Sequence, residues 1–286
     1  MERKYSMDDR NLTFLRELLD SPGPSGFETR PAEVWRSAAS SIADSVDRDV
    51  LGNSYARLAN PGKPVAVIEG HIDEIGLMIT HVDEQGYVWF DRIGGWDIQI
   101  LLGQRVIVLG THGDVVGVIG RQAAHLLKDS EREKAPQISD LWIDIGAADR
   151  EAALAHVQVG DPAVLDLPFC QVSDDRIVSR SIDNRVGAYV ALRSLQILAK
   201  SRPTGVEVVA LAATQEETSF AGASTATFSL QPAVGVVFDV THATDYPSAD
   251  KRHDGEISIG GGPVLSRGPS LNPIAFEIIR DIARAQ

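Results

Sequence analysis

The sequence predicts an α/β fold, a mostly parallel mixed sheet flanked by helices and interrupted by an inserted small β-barrel-like domain. Three observations carry this reading. Apolar, β-branched runs at 63–70 (KPVAVIEG), 206–213 (VEVVALAA) and 234–238 (VGVVF) have the length and composition of strands, the first of them a buried one. A long helical stretch over about 184–200 precedes the last two, and a β-helix-β order produces parallel strands. Between 75 and about 177 the texture changes to short pieces such as GYVWF, QRVIVL and VVGVIG, set among Gly, Asp and His turns, the pattern of a small all-β unit. The expected domains are therefore 1–74 with 178–286 as one α/β unit and 75–177 as the insertion.

The remaining elements follow in order. NLTFLRELLD at 11–20 repeats apolar residues at helical spacing and is stopped by PGPSG at 22–26. A second amphipathic helix is expected over 31–42. The last residues, NPIAFEIIRDIARAQ, read as a helix with no strand after it. No internal repeat or low-complexity linker interrupts the chain.

The composition narrows the partners. With 40 acidic against 27 basic residues the net charge is −13, which argues against nucleic acid and anionic membranes, since both require clustered Lys and Arg. No stretch approaches the roughly 20 apolar residues that span a bilayer, and the charged start lacks a signal-peptide run. The single cysteine, Cys170, excludes an intramolecular disulfide and fits a reducing compartment. Following LPF, it reads as a packed thiol. The expected location is cytoplasmic.

Chemistry collects at the ends of the apolar runs. KPVAVIEG leads into His71 and Asp73, VEVVALAAT into Gln215, Glu216 and Glu217, and PAVGVVF into Asp239. Asp183 stands at the start of the long helix. Ligands of open α/β sheets bind at the carboxyl ends of strands, so these residues converge on one crevice. Residues i and i+2 of extended chain face the same way, which lets His71 and Asp73 act on one side. Imidazole nitrogen with carboxylate oxygen suits zinc, cobalt or manganese, and one carboxylate can bridge two ions. Of Glu216 and Glu217, one can bind metal while the other reaches an activated water as general base. Each motif is weak alone; four of them, each closing a strand or opening a helix, point together to metal-assisted hydrolysis.

Other signals lead elsewhere or nowhere. GGGP at 260–263 lacks the residues of a phosphate loop and reads as a turn that needs glycine torsions. Neither a GxSxG elbow nor an HExxH helix occurs. His81, His125 and His242 read as structural or loop histidines, and Trp96 as an interface or core residue.

At these residues the sequence resembles the M42 family of metalloaminopeptidases. GHIDEIGLMI at 70–79, SRSIDNRVG at 179–187, QEE at 215–217 and FDVTH at 238–242 are similar to its metal and base motifs. SPGPSGFE at 21–28, DVLGN at 49–53, GVIGRQAAHLL and DLWIDIGA extend the likeness over almost the whole chain. The resemblance implies a zinc-peptidase-like sheet and two divalent ions per subunit, zinc or cobalt, with manganese a third choice. His71 and Asp239 would hold one ion, Asp183 would bridge, and Glu217 would bind the second. Glu216 would be the general base acting on a metal-bound hydroxide, and Asp73 would orient His71. A strained or cis peptide is implied after Asp183. The inserted domain would be the dimerisation domain of a homo-oligomer, from dimer up to dodecamer, acting on peptides. Family members continue some 60 residues or more beyond this end and supply a last histidine ligand there; His242 and His253 do not match that motif. The second metal site is therefore expected to be weakened. Two rival readings follow, an amidohydrolase or deacylase of small molecules and a catalytically inactive truncated subunit.

Overall fold

The computed structural model describes residues 7–128 and 134–285. Helix α1 (Asp9–Asp20) starts where Asp8 caps the amide of Asn11 at 2.9 Å, and it buries Leu15, Leu18 and Leu19 at helical spacing. Helix α2 (Thr29–Ala39) buries Ala32, Trp35 and Ala39. The Trp35 indole N–H donates to the Ala188 carbonyl at 2.9 Å, which satisfies its one polar atom inside the core. The expected helix over 31–42 thus ends earlier, at a turn through Ser40.

Strands β1 (Ser45–Arg48), β2 (Ser54–Leu58) and β3 (Val65–His71) lead into the barrel described below, and β12 (Glu207–Ala213) and β13 (Val234–Val237) follow it. These five form one sheet in the order β1-β2-β12-β3-β13. Its three apolar runs stand where the sequence places them. The sheet is less parallel than expected: β3 pairs in parallel with β12 and β13, but β1 with β2 and β2 with β12 are antiparallel. The tight turn at 49–53 sends β2 back along β1, and nothing in the residue pattern of SYARL encodes strand direction.

β12 is buried on both faces, which explains its unbroken apolar run. Val208, Ala210 and Ala212 meet α1, α2 and α4 (Ile182–Ala199) on one face; Val209, Leu211 and Ala213 pack with Ala226 of α6 (Ala221–Leu230) on the other. A one-turn helix, α5 (Glu216–Ser219), stands between β12 and α6.

The middle of the chain forms a closed barrel in the order β4-β5-β8-β7-β6-β9. Its strands are β4 (Gly76–Val82), β5 (Val88–Ile93), β6 (Arg105–Gly110), β7 (Gly113–Gly120), β8 (Trp142–Asp144) and β9 (Pro162–Leu165), with a short helix α3 (Arg150–Leu154) before β9. Leu77, Ile79, Val106, Val108, Ile119 and Ile143 fill the interior. Closure removes the open edges that a small sheet would otherwise expose. A separate hairpin, β10 (Cys170–Ser173) with β11 (Arg176–Val178), follows. All four residues of β10 are exposed, so Cys170 is not the packed thiol its apolar neighbours suggested.

The chain divides into two compact units after Asp239. The second contains α7 (Lys251–Asp254) and α8 (Pro273–Ala285), together with glycines 260 and 262 at positive φ, the turn torsions expected of GGGP. No helix among the described residues is long and apolar enough to cross a membrane.

Candidate metal centre

β3 ends on His71, and its parallel neighbours end beside it: Ala213 lies opposite His71 and Val237 opposite Glu69. The chain leaving β12 supplies Glu216, the chain leaving β13 supplies Asp239, and the first turn of α4 supplies Asp183. Two glycines permit this convergence. A Cβ on Gly70 would lie 2.2 Å from the Gly187 carbonyl carbon, and one on Gly187 would lie 2.7 Å from the Phe238 oxygen. No larger side chain fits where β3, α4 and the end of β13 meet. Asn184 Nδ2 donates to the same Phe238 oxygen at 2.7 Å, and the Asp183–Asn184 peptide is cis.

The His71 ring is the hub. Its Nε2 lies 3.1 Å from Asp183 Oδ1, 3.6 Å from Glu216 Oε2 and 4.0 Å from Asp239 Oδ1. Its Nδ1 lies 3.2 Å from Asp73 Oδ1, in ion-pair range but outside hydrogen-bond alignment. His71 and Asp73 are buried, whereas the Asp183 and Asp239 side chains are 56% and 50% exposed, so the cluster opens to water on one side.

Asp73 does more than face the imidazole. Its two oxygens accept the backbone N–H groups of Glu216 and Glu217 at 3.1 and 3.0 Å, a carboxylate on the first turn of α5. Gln215 just before it has φ of +55°, a left-handed conformation held by its N–H bond to Glu28 Oε1 at 3.0 Å. The pair Asp73 and Glu28 therefore sets where Glu216 points.

The charges confirm how crowded this place is. Burial disfavours the imidazolium of His71, but the Asp183 and Asp73 carboxylates beside its two nitrogens outweigh it and push its pKa up to about 10. Burial, and then the Asp183 carboxylate, push Glu217 up to about 7. Glu216 is also raised, by burial first and then by Asp239, Asp73 and Asp183, against the opposing charge of His71. Asp73 moves the other way: burial alone would raise it, but His71 and the two amides hold it below the ordinary range.

His71, Asp183 and Asp239 each offer a donor atom, all within 4.8 Å of one another. One nitrogen and carboxylate oxygens at that spacing fit an ion with bonds of roughly 2.0–2.2 Å. The structure thus gathers His71, Asp73, Asp183, Glu216 and Asp239 around one ring. Glu217 stands outside the three-donor group, coupled to Asp183 by charge.

Several buried ionic residues escaped the sequence reading. Glu69 is buried on β3, where burial first, and then Asp239, Glu216 and Asp73, push it up to about 7. Its signal was a lone charge inside an apolar run, two residues before His71. Glu74 and Arg185 are buried together, with Arg185 Nη2 donating to Glu74 Oε1 at 2.9 Å and Arg180 Nε 2.9 Å from Glu74 Oε2. Arg185 Nε also donates to the Ile72 carbonyl at 3.0 Å, between His71 and Asp73, and its Nη1 to Leu18 at 2.9 Å and to Ser21. This guanidinium ties the end of α1 to the strand end that carries the imidazole.

Residues 52–285 match the family described as M42 glutamyl aminopeptidase. The chain is 29% identical over 275 residues to the lysyl aminopeptidase of Pyrococcus furiosus, covering 94% of this chain and 77% of that one. Its structure is similar to that of a TET aminopeptidase from a marine sediment archaeon, Thaumarchaeota archaeon SCGC AB-539-E09, with a TM-score of 0.89 at 29% identity over 97% of this chain and 79% of that one. It is also similar to the TET1 peptidase of Pyrococcus horikoshii, described as assembling into a tetrahedron or a large octahedral shell, with a TM-score of 0.73 at 29% identity over 80% and 68% of the two chains. The chain belongs to the M42 family and is a peptide hydrolase.

Proposed function

We propose that this M42 chain is a metal-dependent aminopeptidase that removes N-terminal residues from peptides. The observation that carries it is the His71, Asp183 and Asp239 donor group with the Glu216 carboxylate 3.6 Å from the same imidazole. His71 and Asp239 would hold one divalent ion, Glu217 would hold a second, and Asp183 would serve both. When bound, such ions supply Lewis acidity and lower the pKa of water, and zinc, cobalt and manganese all accept these donors.

The protein's own residues do the rest. Asp73 fixes the His71 ring on one side and the start of α5 on the other. Glu216 takes the proton of the attacking water and delivers it to the leaving amine, a role that its raised pKa suits. The half-exposed Asp183 and Asp239 leave the open side for the substrate, whose free amino group finds carboxylates there. The barrel serves as an inserted dimerisation domain in a homo-oligomer, a reading supported by the assembly described for the similar TET1 peptidase.

The test is hydrolysis of aminoacyl 4-nitroanilides and of their N-acetylated forms, before and after chelation. Cleavage of the free-amine substrates alone, abolished by chelator and restored by zinc, cobalt or manganese, is expected. Cleavage of the N-acetyl forms alone would identify a deacylase instead.

A further inference from the structure

One hydrogen-bonded row crosses the sheet from its edge to the candidate metal centre. Arg48 of β1 lies opposite Ser54, Ser54 opposite Ala212, and Ala212 opposite Gly70, the residue before His71. Adjacent strands are about 4.8 Å apart, so Arg48 stands roughly 14 Å from Gly70 along the same rim. Arg36 reaches this row from α2, its Nη1 donating to Ser54 Oγ at 2.8 Å. Both arginines line a cavity of about 590 Å³ with Glu28, Thr29, Gly52 and Thr214.

Among the described residues, no carboxylate lies within ion-pair distance of either guanidinium group. Several other arginines of this acidic chain meet carboxylates: Arg30 meets Asp114, Arg57 meets Glu207 and Arg202 meets Asp44. Among the described residues, neither Arg36 nor Arg48 does. The acids in the cavity are engaged, Glu28 Oε1 by the Gly26 and Gln215 amides and Asp49 by Tyr55, Asn53 and the Gly52 amide. Arg36 is destabilised as a cation, by burial first and then by Arg48, against the weaker opposing charge of Glu33. Two neighbouring guanidinium groups without an anion are a receptor for one, and their planar forks fit a carboxylate.

We propose that Arg36 and Arg48 form a subsite for a carboxylate of the peptide substrate, about four residues from its N-terminus. The length follows from the row: extended chain rises about 3.3 Å per residue, so four residues span the 14 Å. This inference rests on the aminopeptidase reading, and it names short peptides, or peptides with an acid near position four, as favoured substrates.

The test compares Leu-Ala-Ala-Ala as free acid, the same peptide amidated, and amidated Leu-Ala-Ala-Glu, in the metal-loaded native chain and in an Arg36→Gln/Arg48→Gln variant. The native chain is expected to favour the free acid over its amide in kcat/KM by roughly three- to tenfold, and the variant by a ratio near one. Taking each ratio within one protein cancels losses of folding or metal. Recovery with amidated Leu-Ala-Ala-Glu assigns the subsite to side chains as well; without it, the subsite takes the chain terminus. A native ratio of one, or a ratio that survives in the variant, overturns the proposal. A second arm titrates acetyl-tetra-alanine, as acid and as amide, into the metal-free native chain. If no peptide is cleaved, the aminopeptidase reading fails, and this arm still decides the subsite: preference for the acid supports it and equal binding sinks it.

Discussion

The barrel and the sheet that carries His71 solve opposite problems. The barrel interior is filled by aliphatic side chains such as Leu77, Ile79, Val108 and Ile143. The sheet region buries Glu28, Glu69, His71, Asp73, Glu74 and Arg185 within a short distance of its strand ends. Burying charge is costly unless it is paired, and the two pairings here differ. Glu74 and Arg185 satisfy each other. The carboxylates around His71 share one imidazole among them, with Glu69 and Glu217 pushed toward neutrality. An apolar barrel maintains shape on its own; an underneutralised acidic rim leaves charge that a bound cation would balance.

Substitutions and titrations put that contrast to the test. The largest effect is expected from Glu216→Gln, which removes the proposed proton carrier while keeping its shape: kcat on an aminoacyl nitroanilide should fall by roughly 10²–10⁴-fold with bound metal retained. Arg185→Met leaves Glu74 without its buried partner and should cost about 3–5 kcal/mol in urea unfolding. Acidity comes next. Glu69 and Glu217 have folded pKa values above the ordinary 4.5, and His71 above 6.5, so the folded metal-free chain holds more protons than the unfolded one. The favourable term is complete below those ordinary values. It is lost as pH rises through about 7 for the acids and about 10 for the imidazole. The melting temperature of metal-free protein should therefore fall by roughly a few degrees from pH 5.5 to 8, and added divalent metal should reverse the trend. The smallest effect belongs to the barrel: Ile143→Val should cost about 0.5–1.5 kcal/mol and leave metal affinity unchanged. Equal pH sensitivity of barrel and sheet amides in hydrogen exchange would erase the distinction.

The residues that meet around His71 were visible in the chain because each closes an apolar strand or, for Asp183, opens a long helix, where a charge is conspicuous. The closed barrel was visible as texture, short strands between turns. What escaped depends on partners far away in sequence. Arg185 reads as one more polar residue of a helix start; only the fold brings the carbonyls of Leu18, Ser21 and Ile72 around it. Glu74 is hidden in the same way. The direction of β2 is not written in its side chains, because an antiparallel and a parallel neighbour bury the same faces. Cys170 misled because its neighbours Leu167 and Phe169 are apolar, while β10 stands in a two-stranded hairpin whose four residues are exposed among the described residues.

The most direct measurement is a calorimetric titration of zinc or cobalt into the metal-free chain, native and Asp183→Asn, with proton release followed in buffers of different ionisation enthalpy. Tight binding that expels the His71 proton, and that collapses in the half-exposed Asp183 variant without loss of fold, is the predicted result. An unchanged isotherm in that variant, or a native chain that takes up no ion, would contradict it.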